Sequence, residues 1–66
     1  MNKNKFKYFV AEKGLTIKEM AEKMNMNPST ISRKLNGISD FTRDEILQYQ
    51  KIVDISDEEL MSVFFR

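Results

Sequence analysis

The sequence predicts an all-α fold, a compact domain of five short helices spanning residues 1–66 with two helices joined by a tight turn at its centre. Three observations carry this. A cap residue with an apolar residue just before it and another four places on recurs four times. After each cap, apolar residues return at three- and four-residue spacing. No stretch sustains an alternation of β-branched residues between turn residues, so no strand competes.

The first helix is expected over residues 3–13, with Phe6, Phe9 and Val10 facing inward and Gly14 ending it. Leu15, Thr16 and Met20 open the second, near 16–24, and Glu19 completes a capping box with Thr16. Asn25 follows, a residue type that tolerates the left-handed conformation of a sharp turn. Met26, Asn27 and Ile31 open the third helix, near 28–36. Pro28 sits at its first position, where a missing N–H costs nothing, and Asn36–Gly37 close it. Phe41, Thr42 and Ile46, with Glu45, start a fourth near 43–53. Ile55, Ser56 and Leu60, with Glu59, start a fifth near 57–65. Each cap is worth about 1 kcal/mol. The expected core combines Phe6, Phe9, Val10, Leu15, Met20, Ala21, Met24, Ile31, Leu35, Ile38, Phe41, Ile46, Ile52, Val53, Ile55, Leu60 and Phe64.

Composition narrows the chemistry. Cysteine and histidine are both absent, which removes disulfides, thiol chemistry and imidazole acid–base catalysis. The acids Asp54, Asp57, Glu58 and Glu59 gather at a helix start, where they complement the dipole rather than form a catalytic pair. No enzyme activity, cofactor, metal or small-molecule ligand is expected. No apolar run approaches the roughly 20 residues of a membrane span, and the Lys-rich first residues do not read as a signal peptide. A cytoplasmic protein is expected. Net charge is only +1, but residues 1–37 hold eight bases against three acids, and residues 38–66 three against seven. That polarity orients a protein on a polyanion.

The basic half contains the two central helices. A small residue, Ala21, stands where they would cross, a tight turn follows, and the second helix keeps small polar residues outward. This is a helix-turn-helix, a unit that fits its second helix into the DNA major groove. Pro28, Ser29, Ser32 and Arg33 are the candidates for base contact. Arg33 offers a bidentate grip on guanine O6 and N7, with a phosphate grip as the open alternative. Thr16, Lys18, Asn27, Thr30, Lys34 and Asn36 are the phosphate candidates. Met61, Val63 and Phe65 have no obvious place in the core and are candidates for a homodimer surface on the last helix.

Leu15-Thr16, Glu19-Met20-Ala21, Ser29-Thr30-Ile31-Ser32-Arg33 and Asn36-Gly37, at this order and spacing, resemble the lambda-type phage repressor and Cro superfamily. The stretch from Asp44 to Phe65 resembles short Cro-like regulators from phages of Gram-positive bacteria. The resemblance implies a lambda-repressor-like five-helix domain that represses transcription as a dimer on a double-stranded operator. Three positions depart from the pattern. Ile17 replaces a phosphate-binding glutamine common in members, Asn25 replaces the turn glycine, and Lys34 occupies a usually apolar site with Leu35 after it. The last departure implies a slight roll of the recognition helix. Two rival classes remain: a protein-interaction module (an antirepressor or antitoxin-like partner) acting through the acidic C-terminal third, and a DNA-bending accessory such as an excisionase.

Overall fold

A computed structural model describes residues 1–65. Five α-helices follow in order: α1 (Lys3–Glu12), α2 (Ile17–Lys23), α3 (Pro28–Leu35), α4 (Arg43–Val53) and α5 (Asp57–Phe64). No strand occurs among the described residues. They pack into a body of 27 × 24 × 20 Å.

Local hydrogen bonds explain where each helix starts. Thr16, Thr42 and Ser56 each accept from the N–H three residues on, and Glu19, Glu45 and Glu59 each accept from the cap N–H in return. Asn27 caps α3 by accepting from Ser29 N–H at 2.9 Å. Asn2 caps α1 by accepting from Lys5 N–H at 3.0 Å. The first four helices end by one rule. Gly14, Asn25, Gly37 and Asp54 all carry positive φ just past a helix. After all four, the next N–H turns back to an orphan carbonyl: Leu15 to Val10, Met26 to Ala21, Ile38 to Arg33 and, at 3.4 Å, Ile55 to Gln50. Asp54 is the one stop for which the sequence offers no glycine or asparagine.

The core centres on Phe6. Its ring stacks on Tyr49 with centroids 4.2 Å apart and on Phe41 at 5.4 Å, and meets Phe64 edge-on. Four segments distant in sequence thus converge on one aromatic cluster. Around it lie Val10, Met20, Ala21, Met24, Ile31, Leu35, Val53, Leu60 and Val63, all buried. The Tyr49 hydroxyl donates to the Phe6 carbonyl at 3.0 Å, so its one polar group is satisfied. Burial pushes that phenol well above its ordinary pKa.

Three expectations are corrected here. Ile38, expected in the core, is 65% exposed, because the turn at Gly37 carries it outward. Tyr49 and Val63, absent from the expected core, are both fully buried. Val63 also leaves the candidate dimer surface. It continues the inward stripe of α5 between Leu60 and Phe64, and its carbonyl accepts from Asn2 N–H at 2.6 Å. Phe9, Leu15, Phe41, Ile46, Ile52, Ile55 and Phe64 pack at the core's edge.

Candidate nucleic-acid interface

α2 and α3 pack closely against each other and are joined by Met24, Asn25, Met26 and Asn27. Ala21, with no exposed surface, lets the helices approach, and Met20 and Met24 fill the angle beside it. Asn25 at φ 57° reverses the chain. Its N–H donates to Glu22 O while Met26 N–H donates to Ala21 O, so both amides at the reversal are paired. Asn27 and Pro28 then launch α3 at a fixed angle.

α3 has two faces of different character. Ile31 and Leu35 anchor it to the core. Ser29, Ser32, Arg33 and Asn36 are all exposed, and they follow the i, i+3, i+4, i+7 pattern of a single helical stripe. Pro28 and Asn27 are exposed at its leading end. Three predicted base-contact residues therefore share one outward face with Asn36, and the fourth, Pro28, sits at its leading tip. Arg33 makes no ion pair among the described residues, so its guanidinium is available to a ligand.

Hydrogen bonds refine what each group has left to offer. Ser29 Oγ donates to Asn27 Oδ1 at 2.8 Å. Its proton is committed, and it meets a ligand as an acceptor. The same bond occupies the Asn27 oxygen and leaves the amide NH₂ as donor. Thr16 Oγ1 accepts from Glu19 N–H at 3.1 Å, which leaves its O–H to donate. Thr16 and Lys18 are exposed at the start of α2. Thr30 is half-buried on the flank of α3. Asn36 Oδ1 accepts from Lys3 Nζ at 2.9 Å.

Lys34 is placed otherwise than expected. Its Nζ lies 3.1 Å from Glu45 Oε1, donates to the Asp40 carbonyl at 2.8 Å and sits over the Phe41 ring at 5.8 Å. Only 12% of its side chain is exposed. As a phosphate contact Lys34 is corrected. Its position lies on the inward side of α3, so the aliphatic stem fills an apolar site while the ammonium finds a carboxylate on α4. Glu45 is tuned by this pairing. Burial alone would raise its carboxyl, but the Thr42 backbone N–H and the Lys34 ammonium together hold it below the usual carboxylate range.

Sequence reasoning missed Lys3 and Lys7. Both line a shallow groove of about 300 Å³, together with Ile17, Ser32, Leu35 and Asn36. The available signal was their four-residue spacing on α1, but nothing local places α1 beside α3. No helix among the described residues is long and apolar enough to cross a membrane, and none of their carboxylates cluster as a metal site.

The outward polar stripe, the anchored inner face and the tight turn agree with comparison to known families. A family model described as helix-turn-helix matches residues 6–60. No curated protein and no solved structure matches the chain significantly. The matched segment runs from the aromatic centre of α1 through the start of α5, so it takes in the whole α2–turn–α3 unit and the helices that brace it. The chain belongs to the lambda-repressor/Cro-like helix-turn-helix family of DNA-binding transcription regulators.

Proposed function

We propose that this chain is a Cro-like phage repressor that binds a specific operator and acts by occupying it, excluding polymerase or a competing regulator. The observation that carries this reading is the outward stripe of α3, in which Ser29, Ser32 and Arg33 are exposed on a helix whose other face is locked into the core. In this reading Pro28, Ser29, Ser32 and Arg33 meet base edges. Ser29, with its proton committed to Asn27, accepts from an adenine or cytosine amino group. Arg33 reads guanine. Thr16, Lys18, Asn27, Thr30 and Asn36 hold phosphates. Residues 1–66 act as one DNA-binding unit, working in the cytoplasm of a bacterial host. A second copy docks through α5, where Met61 and Phe65 are 52% and 61% exposed.

Selection from a random duplex pool, followed by a salt titration of the winning sequence, tests the reading. A roughly palindromic site with half-sites about 34 Å apart is expected, with affinity that falls steeply as salt rises. Arg33→Ala is expected to cost about 1–3 kcal/mol on that site and to relax preference at one base pair. A folded sample that enriches no sequence at low salt would sink the repressor reading. A protein-interaction module is the second reading, favoured by the exposed Ile38, Leu47, Met61 and Phe65. Under it, Arg33→Ala combined with Lys18→Ala leaves biological activity intact.

A further inference from the structure

We propose that the groove between α1 and the recognition helix is a seat for the DNA backbone, with Lys3 and Lys7 as its phosphate-gripping residues. This rests on the DNA-binding reading above and adds a third element, α1, to the interface. Lys3 and Lys7 are four residues apart, so both side chains leave the same side of α1. Both line the groove, whose opposite wall carries Ser32, Leu35 and Asn36 of α3, with Ile17 from the start of α2. The bond from Lys3 Nζ to Asn36 Oδ1, 2.9 Å long, holds a cation beside the last residue of the outward stripe.

The charge around the groove has one sign. No carboxylate lines it, and neither lysine takes part in an ion pair among the described residues. Two ammonium groups, a hydroxyl and a carboxamide suit an anion with several acceptor oxygens spread along a line, which is the chemistry of a phosphodiester strand. Ser32 and Asn36 belong both to this groove and to the outward stripe of α3. A duplex that meets the stripe with its base edges therefore brings its backbone to the lysines. The Ile17 side chain contributes apolar surface only, so the side-chain charge on this groove comes from α1.

The test compares four proteins on the selected duplex between 50 and 200 mM salt: wild type, Lys3→Gln with Lys7→Gln, Lys3→Arg with Lys7→Arg, and Lys5→Gln with Lys51→Gln. The last pair removes the same charge from exposed positions outside the groove. All the substituted positions are exposed, and melting curves confirm that each protein is folded. The groove glutamines are expected to flatten the slope of log K against log salt by about 1.8, at roughly 0.9 for each phosphate lost. The arginines keep the wild-type slope, and the outside pair shifts it by less than about 0.5. An unchanged slope in the groove pair, or an equal loss in both glutamine pairs, overturns the proposal while wild type still selects its operator. Absence of any salt-dependent binding by wild type removes the DNA-binding reading itself, and this inference with it.

Discussion

At the scale of the residue, Lys34 and Glu45 show how one side chain is diverted from surface to scaffold. The ammonium sits between a carboxylate, a backbone carbonyl and an aromatic face, and joins α3 to α4 across the loop that carries Asp40 and Phe41. Glu45 is ionised more readily in the folded chain than in the unfolded one. Its contribution to stability is therefore full above the ordinary carboxylate value, about pH 4.3, and is lost as pH falls below that through the folded value. Urea unfolding of Glu45→Gln against wild type checks this. Glutamine retains the acceptor for Thr42 N–H and removes the charge alone. The variant is expected to be about 1 kcal/mol less stable at pH 7, with the difference narrowing as pH falls below about 4.3. A difference that stays constant from pH 7 to pH 3 would show that the charge pair contributes nothing.

At the scale of the element, the recognition unit depends on its turn. Asn25 holds φ 57° and is the C′ residue of a motif that closes α2 with two backbone bonds. Side chains with a branched or plain Cβ resist this conformation, by about 1–2 kcal/mol, and asparagine less so. Asn25→Ala is expected to lower stability by about 1 kcal/mol in thermal or chemical unfolding, and Asn25→Gly to hold or raise it. If alanine proves as stable as asparagine, the turn is not held in the left-handed region. Helix starts were legible in the sequence for a related reason. A capping box is complete within four residues, so Thr16–Glu19, Thr42–Glu45 and Ser56–Glu59 form wherever the chain then goes.

At the scale of the whole molecule, the question is what the exposed apolar side chains of the C-terminal part are for. Met61 and Phe65 lie four residues apart at the end of α5, on the side away from Leu60 and Val63. Helix-turn-helix dimers read half-sites one turn apart, and the proposed joint at α5 is open to direct test. Sedimentation of wild type against Met61→Ser with Phe65→Ser examines this. Wild type is expected to show a concentration-dependent dimer that the double variant lacks, with weaker operator binding in step. A wild type that stays monomeric at every concentration, free and on its operator, rules out α5 as the joint.

The sequence by itself determined the helices, their starts, three of the four αL stops (at Gly14, Asn25 and Gly37), the buried faces of α2 and α3 and the outward stripe of α3. These rest on contacts within about five residues and on a 3.6-residue period, both written in the order of side chains. Tertiary structure alone decided the rest. Tyr49 enters the core only because Phe6, Phe41 and Phe64 meet there from other segments. Val63 faces in on the same periodic stripe as Leu60 and Phe64, whereas Ile38 faces out because the loop after Gly37 carries it off the body. The Lys34 ammonium is held because Glu45 of α4 stands within reach of its inward position, and Lys3 and Lys7 join the interface because one groove brings the start of α1 beside the end of α3. Each helical residue advances about 100° around its axis, so a modest roll, fixed only by packing, moves a side chain from solvent to core or from ligand to scaffold.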